Sequence, residues 1–156
     1  MNAEKRLASL GYSLPTMGKP GAVYTPARQV GNLLFVSGQT PQREGRMAYT
    51  GKLGEAGRDV AYGQDAARQC ILNMLAVVKD AVGDLDRVVQ VVKLFALVQS
   101  AEGFCQQHLV ANGASELLVA VFGQEGCAAR SAVGANQLPL DASVEIEGIF
   151  EIAPPA

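Results

Sequence analysis

Residues Val144 to Ile152 read VEIEGIFEI, with Val144, Ile146, Phe150 and Ile152 alternating against Glu145, Glu147 and Glu151. A period of two is what a half-buried β-strand requires, one face apolar and the other wet. Just upstream, Ser131 to Ala135 carries no charge and also reads as a strand, and Asn136-Gln137-Leu138-Pro139-Leu140-Asp141 between them supplies turn chemistry. The expectation is an antiparallel hairpin whose reflection point falls between Gln137 and Leu138. That register sets Arg130 opposite Glu145. Such a pair has two readings: a structural cross-strand salt bridge, or a site for a small carboxylate.

The remaining pattern is α+β, without an internal repeat or a low-complexity linker. Ala22 to Val30 and Leu33 to Gln39 read as a hairpin about Gly31-Asn32, a pair that tolerates the positive φ of a two-residue turn. Gln42 to Gly57 is rich in Gly and charge and reads as loop. From Arg58 to Val82 the residues Val60, Ala67, Ile71, Met74, Leu75, Val78 and Val82 recur at helical spacing, with Gly83 as the stop. Val88 to Val98, apolar but for Gln90 and Lys93, reads as a buried central strand. A second helix is expected to start near Ser100 as N-cap, to break around Asn112-Gly113 and then to resume. The order is β-β-α-β-α-β-β. Two helices cover one face of such a sheet, so the other face needs a partner for Leu34, Val36, Val89 and Val91, met most simply by self-association. The alternative is a monomer roofed by the segment 42–57.

Composition narrows the function classes. The 156 residues suit a single domain, 1–156, with 1–20 as an N-terminal extension, and a chain of this length buries roughly 70% of its unfolded surface. Net charge is −2 and the thirteen Lys and Arg are scattered, so no basic run is dense enough to follow a phosphate backbone; nucleic acid is a disfavoured ligand. Met1 to Leu10 is not followed by the apolar run of a signal peptide, no membrane span is visible, and the odd, widely spaced Cys70, Cys105 and Cys127 point to a reducing compartment, the cytosol by default. Cys105 and Cys127 read as buried small hydrophobes. His108 is the only histidine and reads as a surface residue, which excludes a metal centre built on several histidines. No phosphate-cradling glycine motif occurs, and no cofactor is implied.

Three groups of residues carry a resemblance that spans about Gly21 to Ile152. The first is Arg130-Ser131, Val133, Leu138-Pro139 and Val144-Glu145-Ile146-Glu147. The second is Tyr24, Gly31-Asn32 and Leu34-Phe35-Val36-Ser37-Gly38-Gln39; the third is Asn112-Gly113-Ala114-Ser115-Glu116 ahead of Val121-Phe122-Gly123. Together they resemble the RidA (YjgF) family of reactive imine and enamine deaminases, in a longer-chain branch of endoribonuclease L-PSP-like proteins. The resemblance implies a chorismate-mutase-like fold, with a mixed sheet carrying two helices on one face, and a homotrimer with clefts between subunits. It further implies Arg130 as anchor for the carboxylate of a 2-imino acid, Glu145 as the acid/base that positions water, and Tyr24, Ser37 and Asn112 as pocket residues. The products would be a 2-oxo acid and ammonia.

Each of these residues also has a plainer role open to it. Ser37 can end a strand, Asn112 can make a turn, Tyr24 can be a core aromatic with a solvated hydroxyl, and Glu147 reads as a solvated or interface carboxylate. The chain departs from the family pattern where Ala132 replaces a common Cys, where Val133-Gly134-Ala135 replaces Val-Glu-Val, and in a longer stretch near Cys105 to Leu109. Two other functions stay open beside deamination: a non-catalytic binder or sensor of small carboxylates, and an endoribonuclease or translation inhibitor.

Overall fold

The computed structural model describes residues 2–154 as one five-stranded mixed sheet, a two-stranded ribbon and three α-helices. In chain order these are α1 (Ala3–Ser9), β1 (Ala27–Val30), β2 (Leu33–Gln39), β3 (Gln42–Arg43), β4 (Arg46–Met47), α2 (Val60–Val82), β5 (Val88–Gln99), α3 (Gln107–Phe122), β6 (Ala129–Ala135) and β7 (Val144–Ile152). The sheet order is β1-β2-β7-β5-β6. Both β2 and β5 run antiparallel to β7, so α2 links two strands that point the same way with a third slotted between them.

The expected hairpin between β6 and β7 does not form. β5 lies between them, pairing in parallel with β6 and antiparallel with β7. An apolar strand of twelve residues must have both edges hydrogen-bonded when buried, and two different partners meet that demand. The connection after β6 therefore passes over the end of β5, where the Gln99 side chain holds it: Gln99 Nε2 donates to Asp141 Oδ1 (2.8 Å) and Gln99 Oε1 accepts from the Leu138 N–H (2.8 Å). Leu140 and Asp141 take positive φ in that passage.

The long helix follows its sequence signals closely. The Asp59 side chain accepts from the Tyr62 N–H as N-cap, and Gly83 ends the helix at a φ of 84°. Its apolar stripe packs on the sheet face formed by Leu34, Val36, Val91, Leu94, Ala96, Val98, Ile146 and Phe150. Leu34, Val36 and Val91 are thus covered by helices, contrary to the expectation that they line the uncovered face. Phe35 (42% exposed) and Val133 (40% exposed) lie on that open face instead, and Val89 is likewise exposed.

The third helix, α1, comes from the segment expected as an extension. Leu7 and Ala3 are buried, the Ala3 N–H donates to Asp86 Oδ1 (2.7 Å), Arg6 Nη1 donates to the Val121 carbonyl (2.8 Å) and Lys79 pairs with Glu4 (2.7 Å). Segment 42–57 is not wholly loop: β3 and β4 form a short ribbon, and Thr50 and Leu53 bridge to Ala142 and Ser100. Cys105 and Cys127 are exposed, and only Cys70 is buried.

Two expectations for α3 fail for connected reasons. Ser100 does not cap it; its N–H donates to the Ala135 carbonyl and its hydroxyl to the Val98 carbonyl, so it closes the end of β5. Nor does Asn112-Gly113 interrupt the helix. A Cβ on Gly113 would lie 2.7 Å from Gln64 Cα, so the glycine is the place where α3 presses its backbone onto α2. We predict that Gly113→Ala destabilises the protein by about 1–3 kcal/mol through overpacking, although alanine gains about 1 kcal/mol of helix propensity. Chemical denaturation decides the matter: a stabilised variant would restore the reading of Gly113 as a helix breaker.

Candidate functional site

Arg130 sits on β6 opposite Leu94, with its side chain turned toward α3 on the helix-covered face. Its Nη1 donates to Asn112 Oδ1 (3.0 Å) and Ser115 Oγ (3.0 Å), and its Nη2 donates to the His108 carbonyl (2.9 Å). His108, Asn112 and Ser115 fall at helical spacings of four and three, so they share one face of α3. All three acceptors are uncharged. Among the described residues the ion pairs are Arg68–Asp65 and Lys79–Glu4, and Arg130 belongs to neither. The guanidinium is held in place without being neutralised.

Glu145 stands apart from this arrangement. It lies on β7 and pairs with Leu97 of β5, two strands from Arg130 and three residues along, which places the two backbones about 14 Å apart by ordinary strand spacing and rise. Its neighbours Val144 and Ile146 are buried under the helices, so Glu145 points to the opposite face of the sheet from Arg130. The expected cross-strand contact between Arg130 and Glu145 is absent within the chain.

On that open face Glu145 lies beside the irregular stretch of β2. Pairing with β7 shifts register between Val36 and Gln39, and a Cβ on Gly38 would collide with the Glu145 carboxylate. Gly38 thus leaves room for the acid to lie against backbone. Ser37, beside it, donates from its hydroxyl to the Thr25 carbonyl (2.7 Å). Partial burial, and secondarily the charge of Glu147, push the Glu145 carboxyl above its ordinary range. Burial first, then the charge of Glu145, also raises the Cys70 thiol, which donates to the Val144 carbonyl (3.6 Å).

Next to these residues is an open concavity of about 400 Å³ that includes Thr25, Arg28, Phe35, Ser37, Lys93 and Glu147. Lys93 Nζ donates to Ser131 Oγ (3.2 Å) on the neighbouring strand β6. Neither Arg130 nor Glu145 lines this concavity. Tyr24 is half-exposed in the segment before β1 and is brought up to neither group, although the adjacent Thr25 lines the concavity. Glu147 is exposed, as is His108, matching the solvated or surface positions expected of them.

The predicted residues thus separate into two groups. Arg130 and Asn112 lie together on the helix-covered face, Ser37 and Glu145 near each other by the open one. Sequence reasoning gave no role to Ser115, to the His108 carbonyl or to Gly38. The signal for Ser115 was present in its spacing of three from Asn112, and the supposed break at Gly113 concealed it. No group of three or more His, Cys, Asp or Glu able to hold a metal occurs among the described residues, and none of their helices is long and apolar enough to cross a membrane.

Comparison with known proteins accords with this architecture. A family described as "YjgF/chorismate_mutase-like, putative endoribonuclease" matches residues 4–151. Protein TCP17 of Trypanosoma cruzi is 45% identical over 147 residues, covering 94% of this chain and 91% of that one. The crystal structure of Atu1372 from Agrobacterium tumefaciens, a protein of unknown function, superposes with a TM-score of 0.90 at 47% identity, covering 97% of this chain and 92% of that one. RidA from the Antarctic bacterium Psychrobacter sp. PAMC 21119 superposes with a TM-score of 0.59 at 28% identity over 86% of this chain and 92% of its own. The chain belongs to the YjgF/RidA family.

Proposed function

We propose that the protein hydrolyses reactive 2-imino acids, or their enamine tautomers, to 2-oxo acids and ammonia, in a homotrimer whose clefts join the Arg130 half-site of one subunit to the Glu145 half-site of the next. The observation that carries this reading is the tethered, unneutralised guanidinium of Arg130. Its planar fork matches a carboxylate, and a charge-assisted contact of this kind contributes about 1.5–3 kcal/mol. Since Arg130 and Glu145 occupy opposite faces of one sheet, one substrate reaches both only if a second copy closes the site. The uncovered face, with exposed Phe35 and Val133, offers apolar surface for that copy.

Orientation supplies most of what the chemistry needs. The carbon of a protonated C=N bond is already electrophilic, so a water held by Glu145 adds to it while the carboxylate takes one proton from that water. The proton passes to nitrogen, the C–N bond breaks with its electron pair on nitrogen as ammonia leaves, and the carbonyl forms as its hydroxyl proton passes to the Glu145 carboxylate, which releases it to the ammonia. A carboxyl lifted above the usual range is a stronger base than a solvated one, which suits this role. RNA cleavage fits less well, because the chain has one histidine and dispersed cations.

Release of 2-oxo acid from an imine generated in situ tests the proposal: Arg130→Ala is expected to lose at least about a hundredfold in kcat/KM, and undiminished turnover would remove the hypothesis. If the wild type gives no turnover while binding 2-oxo acids through Arg130, the protein is a carboxylate sensor. Mixed assembly tests the shared cleft. Arg130→Ala and Glu145→Gln, each inactive alone, should recover roughly a quarter of the sites when co-expressed as a statistical trimer, because each lacks what the other supplies. Sites contained in one subunit would recover nothing.

The acid limb of the rate profile gives a further check. Glu145 must be ionised to act as base and its carboxyl is raised, so the limb should lie above the ordinary carboxylate range. Glu147→Gln removes the second cause of the shift and should move the limb to lower pH. For stability the sign is the reverse: a carboxyl raised by folding disfavours the folded state once ionised. Glu145→Gln should therefore raise Tm at pH 7, with the difference shrinking as pH falls through the carboxylate range.

A further inference from the structure

We infer that Ser115 is a positioning residue for substrate recognition, acting through Arg130 to reserve one edge of the guanidinium for a carboxylate; the inference rests on the carboxylate-anchoring role of Arg130 proposed above. A guanidinium has five N–H donors. Asn112 Oδ1 and Ser115 Oγ receive the two hydrogens of Nη1, and the His108 carbonyl receives one of the two on Nη2. What remains is the Nε–H and a single Nη2 hydrogen, and the Nε–H has no acceptor among the described residues. Those donors belong to adjacent nitrogens and form the side-on fork that grips both oxygens of a carboxylate.

Ser115 decides this outcome because it takes the second Nη1 hydrogen. With Asn112 alone on Nη1, the guanidinium can rotate in its plane and present the Nη1–Nη2 end to the ligand, which places the rest of the molecule differently. Three acceptors at 2.9–3.0 Å from one helix face remove that freedom. Their neutrality matters equally. A carboxylate in place of Ser115 would hold the arginine as firmly but cancel the charge that attracts the ligand. The helix must be continuous through Gly113 for His108, Asn112 and Ser115 to act together, which ties the close α2–α3 contact to recognition.

The preference this creates is for a planar anion over its neutral isostere. Pyruvate and pyruvamide differ in that respect alone, and calorimetry on the intact protein reads their affinities whether or not turnover occurs. Ser115→Ala keeps a good helix former at the position and is expected to lower pyruvate affinity about tenfold while leaving pyruvamide nearly unchanged, with Ser115→Thr restoring the preference because its hydroxyl is retained. A merely structural serine would lower Tm without altering the ratio of the two affinities. If Ser115→Ala keeps the wild-type preference while Arg130→Ala abolishes it, the positioning role is wrong and the anchoring role stands. If Arg130→Ala also keeps the preference, both are wrong.

Discussion

A single apolar strand with two hydrogen-bonding edges organises this protein. β5 runs through the interior of the sheet with Val91, Leu94, Ala96 and Val98 buried under the helices, and its backbone groups need partners on both sides, so it draws β7 to one edge and β6 to the other. Once those places are taken, two strands adjacent in sequence can no longer touch. The parallel pairing with β6 requires a crossover, which α3 provides, and α3 in turn supplies every acceptor that holds Arg130. The separation of arginine and glutamate onto two faces therefore follows from how one strand satisfies its backbone.

The two half-sites follow opposite electrostatic logic. Around Arg130 the chain places only neutral acceptors, so position is fixed and charge is left free. Around Glu145 it places little polar support, a glycine against the carboxylate and another acid nearby, so the charged form is disfavoured. In the proposed reaction one group would attract the ligand and the other would accept a proton. Brought within reach of one small molecule, they would divide binding from proton transfer between them.

Local physics was legible in the sequence and long-range choice was not. The alternation of β7, the stripe and glycine stop of α2, the turn at Gly31-Asn32 and the apolar run of β5 could all be read directly, because each depends on neighbours in the chain. Which strand pairs with which depends on competition for edges, and the turn residues 136–141 were compatible with either a hairpin or a passage over β5. Glycine was the other source of error. Gly113 carries the same letter whether it breaks a helix or lets two helices approach, and only the Gln64 backbone opposite it decides. Arg130 and Glu145 were singled out by the strand pattern and Ser37 and Asn112 by the family resemblance alone, yet their grouping into pairs needed the sheet order.

The distribution of thiols offers a practical handle. Cys105 and Cys127 are exposed and stand just before and just after α3, whereas Cys70 is sealed under the sheet. The helix between them spans about 24 Å at 1.5 Å per residue, a separation suited to paired fluorophores or spin labels. Maleimide chemistry on the native chain would therefore mark both ends of the element that cradles the guanidinium. Its tilt and end-to-end distance could then be followed spectroscopically without engineering a single new attachment point.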